Sequence, residues 1–339
     1  MADGASRPIR AALWPALVLI ALLALAPALS IWLDDPFTVK IATRIVIFAI
    51  GAVALDLTLG YAGLVSLCQA AFFGVGGYVV GILAWHQANS EAVLAGWMGS
   101  SELALTLPLA FLVAGLFAAA VGAVSLRTGG PYFIMITLAF NQMLYYGAVA
   151  LQKYGGDDGL QIINPLTLFG YDISNRYKFF YLALTMLLAT VLLIDRLARS
   201  RFGVVLRAAA VNETRAIAVG VAPWPYRLVA FAITGALAGL AGALLAASQQ
   251  FISPADMAWD RSGDFVVMTA LGGVATVWGP IIGAAAFIFT ELSLSSYMQH
   301  WQLPFGLIIL AIVLLLRGGL AQLVDLARGA KKGGEAVHD

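Results

Sequence analysis

Apolar runs long enough to cross a bilayer follow one another along almost the whole chain, separated by short polar turns. A spanning helix needs about 20 mostly apolar residues, with roughly 17 to 25 tolerated. Ten stretches read as membrane segments: Leu13 to Ile31, Ile41 to Leu59, Leu67 to Trp85, Ala104 to Leu126, Pro131 to Ala150, Phe179 to Ile194, Leu228 to Ala247, Gly263 to Ala275, Gly279 to Tyr297 and Phe305 to Leu316. The eighth is short, and the third follows the second with almost no loop between them. Of 339 residues, 61% are hydrophobic and 11% charged, whereas soluble domains carry about 25% charge. The chain therefore has too few polar groups to cover a water-facing surface, as its mean hydropathy of +0.91 also says. Lipid must solvate it, and it must be helical, because open strands leave backbone groups unsatisfied in hydrocarbon. The expected fold is an all-α polytopic bundle of about ten transmembrane segments, forming a single membrane-embedded domain over residues 1–339.

Within that domain the expected parts are a short cytoplasmic N-terminus (1–12), a transmembrane core (13–317), an inner loop (199–226) and a polar, disordered cytoplasmic tail (318–339). Arg7, Arg10 and "ALAPALS" resemble the flanks of a signal peptide. The apolar run between them exceeds the usual ~7–15 residues of a signal core, so it is read as a retained membrane helix. Lys and Arg in loops set orientation. With the N-terminus inside, thirteen fall on the cytoplasmic side and five outside, while acids such as Asp34, Asp35, Glu91, Glu102, Asp157, Asp158, Asp172 and Asp256 gather outside. Both termini are therefore expected in the cytoplasm.

Absences narrow the function classes. Cys68 is the single cysteine, and His86, His300 and His338 are far apart, so no metal site or internal disulfide is expected. No phosphate loop, H-E-x-x-H or G-x-S-x-G occurs, so no ATP site, cofactor or catalytic residue is expected on this chain. The net charge of +1 carries no argument about nucleic acid, and no nucleic-acid partner is expected.

Four stretches carry a mechanism. "GYAGLVSLCQAAFFGVGGYVVG", Gly60 to Gly81, and "ALGGVATVWGPIIGAAAF", Ala270 to Phe287, are glycine-rich inside apolar surroundings. Glycine permits close helix packing in lipid, and it permits breaks where backbone lines a cavity. Broken segments in corresponding halves point to an inverted repeat around a central pathway. "TGGPYFIMITLAFNQMLYYGAVA", Thr128 to Ala150, puts Thr137 and Asn141 on one helix face. Either they hydrogen-bond between helices or they line a path, together with Tyr61, Ser66 and Gln69. "RSRFGVVLRAAAVNETRAIAVG", Arg199 to Gly220, mixes small apolar residues with charge and suits one short surface helix, ended at Gly220 and "APWPY". It is read either as a lipid-surface helix or as a docking helix for a soluble partner. Arg44, Asp56 and Glu291 lie inside segments. The first two are placed near segment ends, where they can meet headgroups, and the three show no clustering.

In order and spacing, "GYAGLVSL…AAFFGVGGY", "GPYFIMITLAF", "GGDDGL", "RSRFGVVLRAAAVNE", "AFAITGALAGLAGAL", "ISP" and "LGGVATVWGPIIGA" resemble the permease subunits of ABC importers for branched-chain amino acids, in the LivM-like branch. The resemblance implies a heterodimer with a sister permease, two cytoplasmic ATPase subunits that hydrolyse the ATP, and a periplasmic amino-acid-binding protein, in a bacterial inner membrane. It implies that Arg201, Phe202, Gly203, Leu206, Arg207, Asn212, Glu213 and Gly220 belong to an ATPase-coupling loop. It also implies that Gly156, Asp157, Asp158 and Gly159 belong to a periplasmic loop facing the binding protein or a gate. Cys68-Gln69, Ala275 and Asp56 depart from residues common in such permeases, which leaves urea, amides and other amino acids open as cargo. A stand-alone carrier driven by protons or sodium is the competing reading; it does not account for the long basic inner loop.

Overall fold

The computed structural model describes residues 13–27, 30, 36–92, 99–163, 166–168, 170–173, 175–297, 300, 302–315 and 319–321. The N-terminus 1–12 and nearly all of the 318–339 tail lie outside these residues.

Every expected segment falls on a helix. In chain order these are α1 (Leu13–Ala24), α2 (Pro36–Asp56), α3 (Gln69–Asn89), α4 (Leu103–Ser125), α5 (Pro131–Val149), α6 (Arg176–Arg199), α7 (Arg201–Val211), α8 (Glu213–Ala218), α9 (Pro223–Gln249), α10 (Trp259–Gly272), α11 (Gly279–Tyr297) and α12 (Gln302–Leu315). Among the described residues six are long and apolar enough to cross a membrane: α2 continued to Tyr61, α4, α5, α6, α9 and α11. The expected ten segments thus divide into six full-length candidates and four helices that are shorter or more polar. The protein is an all-α polytopic membrane protein; among the described residues the strands form two small two-stranded ladders, Leu160–Gln161 with Phe251–Ile252 and Thr167–Leu168 with Tyr171–Asp172.

Burial ranks the helices. The spanning windows of α9 and α2 are 78% and 72% buried, against 33% for α4 and 22% for α5. The reason is in the sequence of α9, "TGALAGLAGALLAAS", where small residues recur on one face and let backbones approach. Gly235 and Gly239 sit against Ala118 and Ala114 of α4, while Gly76 of α3 meets the Gly239 backbone. Bulk returns around this seam. Phe48, Phe73 and Phe265 form a three-ring cluster with centroids 5.4–5.9 Å apart, joining α2, α3 and α10.

Two of the charges inside the expected segments meet each other. Arg44 of α2 donates to both carboxylate oxygens of Glu291 on α11, at 3.0 and 3.2 Å. The guanidiniums of Arg44 and Arg261 both lie over the Phe48 ring, 5.6 and 5.7 Å from its centroid. The expected lack of clustering is corrected for this pair: residues 247 positions apart in sequence meet because α2 and α11 pack side by side. In lipid an unpaired charge is costly, and pairing lowers that cost.

Candidate functional site: a broken crossing and its inner elbow

α2 does not end cleanly. It loosens into a π turn, Leu57–Tyr61, and the chain then runs without helix until α3 begins at Gln69. Gly63 takes the left-handed conformation, φ +67°, inside this break. The second glycine-rich stretch breaks as well: α10 stops at Gly272 and α11 restarts at Gly279. The two breaks meet. A Cβ on Gly60 would lie 2.5 Å from the Ala275 nitrogen, so only glycine permits this approach. At the same point Asp56, fully buried, accepts the Ala275 N–H through Oδ1 at 2.7 Å. Asp56 was expected near headgroups. Instead it fastens one break to the other, which corrects that expectation; the packing of α2 against α10 and α11 leaves it no route to water.

A helix that begins inside a bundle leaves its first N–H groups without intrahelical partners, and in lipid no water supplies them. The start of α3 solves this with side chains. Thr137 Oγ1 accepts from Leu67 N at 3.3 Å, Ser66 Oγ from Cys68 N at 3.2 Å, Ser262 Oγ from Ala70 N at 2.9 Å, and Asn141 Oδ1 from Ala71 N at 3.0 Å. Asn141 also donates to the Met257 carbonyl at 3.0 Å. Gln69 donates weakly to Gly51 O at 3.5 Å, and Tyr61 is buried beneath Arg207. The structure therefore brings Ser66, Gln69, Thr137 and Asn141 together and gives their polar atoms main-chain partners, on other segments for Gln69, Thr137 and Asn141 and within the break itself for Ser66. Ser262 belongs to the same set. Nothing in its local sequence marks it, because its role appears only once α10 lies against α3.

The loop 199–226 is an elbow of two helices rather than one. Asn212 leaves the helical region (φ −159°, ψ 103°), ends α7 and caps α8 by accepting from Arg215 N at 2.9 Å. The expectation of one helix is corrected by this cap: an Asn side chain competes with the backbone and favours a new start. Gly220, at φ +89°, ends α8 as expected. Three arginines tie the elbow down. Arg199 pairs with Asp195 at 2.7 Å, Arg207 donates to Ala198 O at 3.0 Å, and Arg227 pairs with Glu213 at 2.7 Å and donates to Ala209 O at 3.3 Å. Leu206 and Gly203 face inward, Phe202 packs near Tyr226, and Arg201, Asn212, Glu213 and Gly220 face out. Val204, Val211, Ile217 and Val219 are 56–85% exposed on the same elbow. The sequence reading missed these four; their signal was an apolar residue recurring among charges.

At the far end, Gly155–Gly159 forms a tight turn whose glycines at 155, 156 and 159 have positive φ, with Asp157 and Asp158 exposed. The following strand pairs Leu160 with Ile252, so the loop is fastened to the chain just after α9. Nearby, Lys153 bonds Glu91 at 2.6 Å and holds its carboxyl below the usual range.

Against this geometry the comparisons decide the family. The family model described as "Branched-chain amino acid transport system / permease component" matches residues 37–317. The chain belongs to this family. The permease is 28% identical over 348 residues to the high-affinity branched-chain amino acid transport system permease protein LivM of Escherichia coli K12, covering 94% of this chain and 79% of that protein. The LivM protein of Salmonella typhimurium LT2 matches with the same identity and coverage. No solved structure matches. The permease is thus a multi-pass membrane transport component of the ABC importer class, and both broken stretches, the elbow and the Gly155–Gly159 turn lie inside the matched region.

Proposed function

We propose that this permease forms the membrane path of an ATP-driven importer for branched-chain or related amino acids, with both termini in the cytoplasm of a bacterial inner membrane. Its core, 13–317, is one domain of ten membrane segments, six complete and four partial, in which the two broken stretches are related as an inverted repeat. It works beside a sister permease; two ATPase subunits hydrolyse the ATP on the inner side, and a binding protein delivers cargo outside, near Gly156, Asp157, Asp158 and Gly159. The chain itself binds no cofactor.

The observation that carries this reading is the elbow. Its inner side is fixed by Leu206, Gly203 and three anchored arginines, while Val204, Val211, Ile217 and Val219 point outward. Apolar residues on the outside of a charged cytoplasmic loop suit helix-in-groove docking. Arg207 links the elbow to Tyr61, and Tyr61 ends the π turn that follows Asp56. A push on α7 is thereby delivered to the point where the breaks meet. Such a push shifts access only if contacts differ between the inward and outward states, and a meeting of two interrupted segments is where they can differ.

The test is uptake of labelled leucine by proteoliposomes holding this chain with its ATPase and sister subunits and a binding protein. Uptake is expected to need ATP and to stop with vanadate. Accumulation without nucleotide would overturn the reading in favour of a stand-alone carrier.

A further inference from the structure

A cavity of about 340 Å³ opens on the same side as the Gly155–Gly159 turn, between the start of α2, the start of α6 and the end of α9. That volume lies at the small end of ligand sites, roughly 300–1,000 Å³. Its wall is apolar: Leu166, Ile173 and Phe179 line it and are each 5–8% exposed. Its mouth is cationic. Lys40 and Arg176 line it, both exposed, and neither has an anionic partner among the described residues. Among the described residues none of the lining is acidic. Ala247 and Ser248 near the end of α9, with the polar side chains of Thr43 and Gln250, complete the lining among the described residues. Carbonyls at a helix C-terminus carry partial negative charge, and the facing start of α6 carries partial positive charge.

We propose that this cavity is an outer waiting site for a free aliphatic α-amino acid. The carboxylate meets Lys40 and Arg176, the ammonium faces the last carbonyls of α9, and the side chain lies on Leu166, Ile173 and Phe179. The inference rests on the amino acid transport reading and adds to it a place where the cargo is held. Two cations without an anionic partner among the described residues favour an anion, and the apolar wall selects an aliphatic one over a small inorganic ion. A conducting site must bind well enough to admit and weakly enough to release, and a cavity open to water at its charged end meets both demands.

Cysteine protection tests this in the assembled complex, because native Cys68 is fully buried and silent to a small thiol reagent. Ser248→Cys is labelled in nanodiscs of phosphatidylcholine, with Ala247→Cys as a second position should the first fail to assemble. Leucine is expected to slow labelling several-fold, leucinamide, which lacks the carboxylate, to leave it unchanged, and Lys40→Gln with Arg176→Gln to remove the protection. Labelling indifferent to leucine, in a complex that still transports leucine, would overturn the site and leave the transport reading intact. Protection that follows added phosphatidylglycerol and ignores leucine would assign the two cations to a lipid headgroup and overturn the proposal as well. Loss of leucine transport in the unsubstituted complex would instead strike the transport reading itself.

Discussion

Ala275 sits at φ +60°, in the left-handed region, where a Cβ crowds the following carbonyl. That conformation costs an L-residue about 1–2 kcal/mol, and such strain persists only where neighbours over-determine it. Here the neighbours are Asp56, which takes the Ala275 N–H, and Gly60, which lies against its backbone. Glycine at 275 would keep the hydrogen bond and shed the strain. Ala275→Gly is therefore expected to raise the thermal midpoint of the purified permease, by a shift corresponding to about 1 kcal/mol; a lowered midpoint would contradict the strain assignment. Single residues also mark the limits of sequence reading. Thr137 and Asn141 were legible as a polar face on one helix. That they serve the main chain of α3 was not, because Leu67 and Ala71 lie 70 positions away in sequence and meet them only through packing.

Among the elements, the elbow of α7 and α8 carries the sharpest expectation. Val211 and Val219 are 85% and 79% exposed, and neither takes part in the side-chain bonds of the three anchoring arginines. Replacing both by Asp leaves the Glu213–Arg227 pair and the Asn212 cap in place, while burying a charge in any docked interface costs heavily. Val211→Asp with Val219→Asp is expected to abolish ATP-dependent leucine uptake and co-purification of the ATPase subunits at unchanged membrane abundance. Retained uptake would remove the docking role from these helices. The position and length of the elbow were readable from its return of charge and its closing Gly220. Its division in two was not, because Asn212 reads equally well as a polar residue on a continuous surface helix until its side chain is seen accepting from Arg215.

For the whole molecule, apolar run length located every helix that the structure describes in the core, since lipid imposes that length on any span. Run length alone does not separate a full crossing from a helix that starts or stops within the bundle, as α3 and α10 do. The proposed orientation rests on the expected inner excess of Lys and Arg and has a direct check. Asp158→Cys is expected to react with a membrane-impermeant thiol reagent on intact cells, and Thr214→Cys only after the membrane is opened. The reverse pattern would invert the proposed topology and place the elbow on the wrong side for an ATPase.

The four side chains at the start of α3 come from three parts of the chain: Ser66 beside it, Thr137 and Asn141 from α5, and Ser262 from α10. During synthesis the ribosome delivers these parts in order, and the last arrives after about three quarters of the polypeptide has been made. Until then the Ala70 amide lacks the hydroxyl that accepts its proton in the finished fold, while Leu67, Cys68 and Ala71 draw on acceptors made earlier. The capping of α3 is thus expected to be complete only once α10 has packed against it.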